Sequence, residues 1–122
     1  MFGHNLMKLG YEQGYKCAIF DGSTPVYTYS TENIPFGGQP RTLIAMVMPK
    51  QGSKNKIILS IGTNANNKRY GFGFYSFDRI FIDGYNNVKY YPCNYYYDNW
   101  YHIAVAYENN FERLYVNGQL IG

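Results

Sequence analysis

The stretch WYHIAVAYENNFERLYVNGQLIG, from Trp100 to Gly122, decides the fold of this chain. It places Asn117 and Gly118 between two apolar runs, which is the strongest short-range signal for a β-hairpin. A second tight connection, Glu-Asn-Asn at 108–110, precedes that hairpin. We therefore expect three antiparallel strands in a meander.

The first strand of this meander has two apolar faces, because successive side chains of a strand point to opposite sides. Neither set of alternate residues is plainly polar, which predicts a central strand that is covered on both faces. One set is Tyr101, Ile103, Val105 and Tyr107, and the other is Trp100, His102, Ala104 and Ala106.

The rest of the chain repeats this pattern of short β-type runs between turn residues. Its 15 Tyr and 8 Phe favour pleated, half-buried surfaces, and its 13 Gly favour frequent turns. No window shows a sustained helical period. The sequence therefore predicts an all-β protein, whose further runs are KCAIF, VYTYS, RTLIAMVM, KIILSIG, YGFGFYSF, RIFID and VKYY.

The run KRYGFGFYSF, Lys68 to Phe77, is similar to the core motif of an RNA-recognition module. That module needs two helices, and this chain offers no segment for them. In a strand, Tyr70, Phe72 and Phe74 share one face, so we interpret them as core rings. The two glycines between them would leave a shallow trough for a neighbouring strand or a ligand. Because the basic residues are also scattered, we expect no nucleic-acid partner.

The sequence contains neither a membrane-spanning segment nor a recognisable signal peptide. No apolar run is long enough to span a membrane, and the N-terminal residues lack the apolar block of a signal peptide. Either the protein is not secreted by that route, or the chain is excised from a larger one. Cys17 and Cys93 could form one disulfide or stay reduced, and their spacing excludes a Cys-x-x-Cys motif.

Several segments resemble the laminin G-like domains of the concanavalin A-like lectin/glucanase superfamily. Phe20-Asp21-Gly22 is similar to the end of the family's first strand, and Pro49-Lys50 is similar to a later turn. This resemblance implies an antiparallel β-sandwich of jelly-roll type, as a single domain over residues 1–122. The most specific matches are Trp100, His102, Ala104 and the hairpin Leu114–Gly118.

Two departures from the family pattern bear on the edges of the sheets. Met46 stands where the family usually has Trp, and family members continue with further strands where this sequence stops at Gly122. The resemblance therefore implies a sandwich that lacks its last strands, with unpaired backbone groups at an edge. The N-terminal segment, another subunit or a natural continuation of the chain could fill that place.

The sequence gives little support to catalysis or metal binding. Glucanases of the superfamily resemble one another in a Glu-x-Asp-x-x-Glu strand, and no acidic residues here stand in that pattern. Two His and two distant Cys serve zinc poorly. We expect no cofactor. Ca²⁺ is the alternative, at Asp21–Ser23 or Asp83–Asn87, although each loop has one carboxylate and is also a good turn sequence.

The run YYPCNYYYDNWY, Tyr90 to Tyr101, predicts a loop with exposed rings. Sugar rings pack their C–H faces on aromatic side chains, and Tyr also gives protein interfaces large area at little entropy cost. Alternatively, about half of these rings face the core, as buried aromatics do. The predicted ligand-binding residues are Asn86, Asn87, Tyr95, Tyr96, Tyr97 and Asp98.

These observations favour a non-catalytic binding module that recognises a glycan or a protein on a cell or particle surface. The location would be extracellular, on a cell or on a virion, without membrane insertion. The alternative is a structural β-sandwich of a multi-chain appendage or virion, in which a homo-oligomer or the parent assembly completes the sheet. A degenerate glycoside hydrolase is a third interpretation.

Overall fold

A computed structural model describes residues 8–23, 35, 37–63, 65–66, 68–76, 78–84 and 86–122. The chain separates into two compact units, Met1–Asn33 and Ile34–Gly122. The predicted strand VYTYS, residues 26–30, lies outside the described residues. The single domain over residues 1–122 stays a prediction.

The first unit contains an antiparallel hairpin of β1 (Lys8–Glu12) and β2 (Tyr15–Ile19). Gln13 and Gly14 connect the strands with φ of +50° and +82°. Positive φ at both central residues is the geometry of a type I′ turn, which matches the twist of the flanking strands. The predicted strand in KCAIF therefore exists as β2.

The second unit contains two antiparallel four-stranded sheets. The β8 sheet has the order β10-β9-β8-β3, and the β5 sheet has the order β4-β5-β6-β7. No helix occurs in the described part of the chain, and the predicted all-β sandwich of jelly-roll type is confirmed. The strands are β3 (Arg41–Val47), β4 (Lys56–Gly62), β5 (Arg69–Ser76), β6 (Arg79–Asp83), β7 (Val88–Pro92), β8 (Tyr101–Glu108), β9 (Phe111–Val116) and β10 (Gln119–Leu120).

The predicted meander is β8, β9 and β10. Asn109 and Asn110 connect β8 to β9 with φ of +51° and +65°, and Asn117 and Gly118 connect β9 to β10 with φ of +50° and +79°. Asn and Gly adopt this left-handed geometry at low steric cost, which explains the hairpin signal. As predicted, β8 is a central strand, since it pairs with β3 and with β9. The prediction that both of its faces are covered is wrong, because Ile103 and Val105 are buried whereas Ala104 on the opposite face is only half-buried.

The core lies between the two sheets. Tyr70, Phe72 and Phe74 of β5 are 6%, 0% and 1% exposed, so the rings of the Gly-aromatic run belong to the core and do not stack RNA bases. Their partners on the facing sheet come from β3, β8 and β9. The buried cluster comprises Leu43, Tyr70, Phe72, Phe74, Ile80, Ile82, Tyr95, Ile103, Val105, Leu114 and Val116.

The shallow trough that the glycines were predicted to leave on the other face of β5 is partly occupied by neighbouring strands of the same sheet. A Cβ at Gly73 would lie 2.8 Å from Cζ of Phe81, the residue paired with Gly73 on β6. The same Cβ would clash with the backbone oxygen of Lys56 on β4. Gly73 is therefore required for close packing of three neighbouring strands.

The loops of the second unit gather at two opposite ends of the β5 sheet, because consecutive strands run antiparallel. The β4–β5 and β6–β7 connections share one end, where Nδ2 of Asn86 donates to Oδ1 of Asn66 at 2.7 Å. The segment after β7 begins at the other end, where the Cys93 N–H donates to the Asp78 carbonyl at 2.8 Å. No helix in the described ranges is long and apolar enough to cross a membrane.

Candidate functional site

The tyrosine loop, Cys93–Trp100, connects β7 to β8 and is fixed by backbone hydrogen bonds. Besides the bond from Cys93 to Asp78, the Asp98 N–H donates to the Pro49 carbonyl at 2.9 Å. Asp98 has a φ of +64°, a left-handed conformation that Asp tolerates better than most residues. The loop thus has a defined backbone shape on the surface.

Tyr95 anchors this loop in the core. Its side chain is 2% exposed, and its ring centroid lies 4.2 Å from that of Phe74. It also contacts the Tyr101 ring edge-on, with centroids 6.5 Å apart. The prediction that Tyr95 binds a ligand therefore needs correction, because the inward ring of Tyr95 holds the loop and is inaccessible.

The Tyr95 hydroxyl is buried, and it has no hydrogen-bond partner among the residues that the structure describes. Burial, and to a smaller extent the neighbouring Tyr97 and Asp78, raises the pKa of this phenol from 10 to about 12. Desolvation penalises the charged form of a buried phenol, which explains the direction. The hydroxyl therefore costs free energy in the folded state and is neutral at physiological pH.

Replacing Tyr95 by phenylalanine should raise the free energy of unfolding by about 1 kcal/mol, since an unsatisfied buried hydroxyl is removed. Between pH 10 and 12 the unfolded phenol loses its proton while the folded one keeps it, so the stability of the wild type falls as pH rises. Tyr95→Phe should flatten that decline. Urea denaturation at several pH values measures both effects.

Tyr101→Phe is the matched control for this prediction. The Tyr101 hydroxyl accepts a hydrogen bond from the Tyr96 N–H at 2.8 Å. Its removal should lower the free energy of unfolding by about 1 kcal/mol, the opposite sign to Tyr95→Phe. Equal losses in the two variants would contradict the assignment of the unsatisfied hydroxyl to Tyr95.

The rings that follow Tyr95 are exposed. Tyr96 is 72% and Tyr97 is 39% exposed. The backbone that holds them is bonded at both residues, since the Tyr96 N–H donates to Tyr101 and the Tyr97 carbonyl accepts from Nδ2 of Asn99 at 2.9 Å. Two tyrosine rings are therefore presented from a backbone that is already ordered.

Polar groups border these rings. Nζ of Lys50 lies 2.9 Å from Oδ1 of Asp98 in an exposed ion pair. The sequence prediction included Asp98 and missed Lys50 and Asn99. In the sequence, Lys50 is noticeable only as part of the Pro-Lys turn. Its pairing with Asp98 could not be predicted, because the two residues are 48 positions apart. We define the tyrosine surface as Lys50, Tyr96, Tyr97, Asp98 and Asn99.

Asn86 and Asn87 do not lie beside the tyrosine loop, contrary to the sequence prediction. They belong to the β6–β7 turn, where the Asn87 carbonyl accepts from the Gly84 N–H at 2.8 Å. The five residues of β7 separate this turn from Cys93, a span of roughly 16 Å along an extended strand. The predicted site therefore divides between two ends of the β5 sheet.

The two loops considered for Ca²⁺ have their carboxylates engaged within the protein. Oδ1 of Asp21 accepts from the N–H and the hydroxyl of Ser23 at 2.9 and 3.2 Å. Asp83 is 3% exposed and forms an ion pair with Arg69. Among the described residues, no three His, Cys, Asp or Glu side chains are grouped as metal ligands. A cation at Asp83 would have to displace the Arg69 guanidinium.

The two cysteines are free thiols. Burial raises the pKa of the Cys93 thiol, which lowers the fraction of reactive thiolate at neutral pH. Neither thiol is part of the tyrosine surface, which presents only aromatic rings and polar groups.

Comparison with known proteins adds the family. The family model of the concanavalin A-like lectin/glucanases superfamily matches residues 20–122, which is most of the chain. No curated protein and no solved structure matches the chain. This match and the two packed sheets show that the chain belongs to the laminin G-like domains of the concanavalin A-like lectin/glucanase superfamily.

Proposed function

We propose that this protein is a non-catalytic binding module that recognises a glycan through the tyrosine surface. The observation that carries the proposal is a pair of exposed rings, Tyr96 and Tyr97, on one anchored loop. Asp98 and Asn99 of the same loop are polar, and Lys50 from a distant segment is ion-paired with Asp98. Membership of a superfamily that includes lectins is in accord with a carbohydrate ligand.

The chemistry of this surface suits a sugar. An aromatic face packs on the C–H groups of a pyranose ring, and the carboxylate, amide and ammonium groups can bond its hydroxyls. Tyr has only two side-chain torsions, so ordering it on binding costs little entropy. The buried Tyr95 ring and the backbone bonds of the loop reduce that cost further, because the loop is already shaped.

A binding role is preferred to hydrolysis because glycosidases use two carboxyl groups on either side of the scissile bond. The tyrosine surface has one carboxylate, Asp98, and it is ion-paired with Lys50. We propose that binding needs no metal or other cofactor, and that the module acts outside the cell or on a virion, without nucleic acid or membrane insertion.

Screening on a glycan array tests this proposal. Tyr96→Ala and Tyr97→Ala should each weaken binding of the selected sugar about ten-fold, which corresponds to about 1.4 kcal/mol of lost ring contact. Tyr11→Ala is the matched control, since Tyr11 is 70% exposed outside the loop. It should leave both binding and the unfolding midpoint unchanged.

Two outcomes would contradict the proposal. Equal loss of binding in Tyr11→Ala and Tyr96→Ala would mean that the tyrosine surface is not the site. Silence of the array, together with binding to an enzymatically deglycosylated surface protein, would identify a protein ligand instead. Silence together with stable large oligomers would favour the structural role in an appendage or virion.

A further inference from the structure

The outer face of the β8 sheet, the side away from the core, is apolar and exposed. Ile44 and Met46 of β3 are 57% and 59% exposed, Phe111 of β9 is 66% and Leu120 of β10 is 55%. Soluble proteins rarely expose large contiguous apolar patches, and such patches mark interaction sites. This face is separate from the tyrosine surface.

Strand register makes this face regular. Ile44 pairs with Ala104, Ala104 pairs with Tyr115, and Tyr115 pairs with Leu120. These four residues form one row across all four strands, because paired residues of an antiparallel sheet point to the same side. Within the row, the small Ala104 forms a depression between the larger Ile44 and Tyr115.

We propose that the outer face of the β8 sheet binds the same face of a second copy of this chain. The two-fold axis would run nearly parallel to the strands, midway between β8 and β9. Such an axis exchanges β8 with β9 and β3 with β10 between the two copies, so that all four strands are covered. The contact is isologous, as in most homodimers.

The row is complementary to itself about this axis. Tyr115 of one copy lies over Ala104 of the second copy, where the depression accepts its ring, and the reverse contact is identical. Ile44 lies over Leu120 of the second copy in the same way. Packed sheets usually differ by about 30° in strand direction, so the axis would lie about 15° from the strands of each copy. This tilt moves the outer strands most and keeps the Ala104–Tyr115 contact nearest the axis.

The charges on this face are complementary about the same axis. Arg113 pairs with Ala106 in the sheet, so it lies over Ala106 of the second copy. Glu108 is two residues further along that strand, about 7 Å away, within reach of an arginine side chain. Arg113 and Glu108 are both exposed in the single chain. Two opposite-charge contacts therefore form at once and fix the register.

The area of the face suits a weak dimer. The strands β3, β8, β9 and β10 contribute seven, eight, six and two residues. Each residue occupies about 16 Å² of sheet, which gives about 370 Å² in projection on each copy. Side-chain relief adds to this figure, so the pair reaches the lower range of specific interfaces. We expect a dissociation constant of about 10 µM.

Sedimentation velocity over a concentration series tests the dimer. The wild type should shift from monomer to dimer around the expected dissociation constant, and Ile44→Lys should weaken association at least about ten-fold. Ile57→Lys is the matched control, because Ile57 is 38% exposed on the β5 sheet, and it should dimerise like the wild type. A wild type that stays monomeric at about 500 µM, or an equal effect of the two lysine variants, would overturn the proposal.

A charge exchange tests the register independently. Arg113→Glu and Glu108→Arg should each weaken the dimer, because each places like charges against each other. The double variant Arg113→Glu/Glu108→Arg should restore association to near the wild-type level. A double variant as weak as either single variant would overturn the proposed axis, and circular dichroism of each variant shows that it is folded.

Discussion

Replacing Phe74 by alanine should lower the free energy of unfolding by about 3–5 kcal/mol. Phe74 is 1% exposed at the centre of the core, where its ring contacts Tyr95. Truncation removes that ring and leaves a cavity between the two sheets, which a close-packed interior fills only in part. Urea denaturation monitored by tryptophan fluorescence measures the change.

Phe111→Ala is the control for Phe74→Ala. Phe111 is 66% exposed, so its loss should change the free energy of unfolding by less than about 0.5 kcal/mol. The Phe74 variant should also bind sugar more weakly. Phe74 lies beneath the tyrosine loop, so its truncation removes the ring on which Tyr95 packs. Similar stabilities of the two alanine variants would contradict the placement of the β5 rings between the sheets.

Arg69→Met should lower the free energy of unfolding by about 3–5 kcal/mol. The Arg69 and Asp83 side chains are 19% and 4% exposed and form an ion pair near the start of β5. Removing the guanidinium takes an ion-pair partner away from the buried Asp83 carboxylate. The loss should therefore exceed that of an exposed pair such as Lys50–Asp98, whose separation should cost at most about 1 kcal/mol.

The double variant Arg69→Met/Asp83→Leu distinguishes a buried charge from a simple loss of packing. With both charges gone, the interior no longer contains the Asp83 carboxylate that the single variant deprives of its guanidinium, and most of the lost stability should return. Thermal denaturation of the wild type, the single variant and the double variant gives the comparison. A double variant no more stable than Arg69→Met would contradict this account, because it would show that the loss comes from packing of the arginine side chain and not from the buried charge.

The strands could be predicted from the sequence because their limits depend on local chemistry. RIFID became β6 with the predicted bounds, and Asn117-Gly118 became the β9–β10 turn. The inward rings of β5 followed from simple alternation, since Tyr70, Phe72 and Phe74 share one face of an extended strand. In these segments each residue's own preference agrees with the fold.

The candidate site could be predicted only in part, because its geometry depends on contacts between distant segments. Tyr95, Tyr96 and Tyr97 have the same side chain, so residue type does not tell which ring faces the core. The ring that does is the one in contact with Phe74, a residue on a distant strand. Lys50 reaches Asp98 across 48 positions of sequence. A local pattern has no information on such pairings.

The error over Asn86 has the same origin. It is close in sequence to the tyrosine loop, but β7 is a strand and carries the chain from one end of the sheet to the other. Asn86 and the tyrosine loop are therefore near each other in sequence but lie at opposite ends of the sheet. The sequence argument did not take into account that a strand, β7, lies between the two polar segments.

A two-dimensional ¹⁵N–¹H NMR titration with the sugar selected on the array tests the central claim most directly, namely that the tyrosine loop is the binding site. We predict amide shifts confined to the tyrosine loop and Lys50, with the Asn66–Asn86 contact at the opposite end unchanged. Shifts concentrated around Asn66 and Asn86, with none in the tyrosine loop, would contradict it.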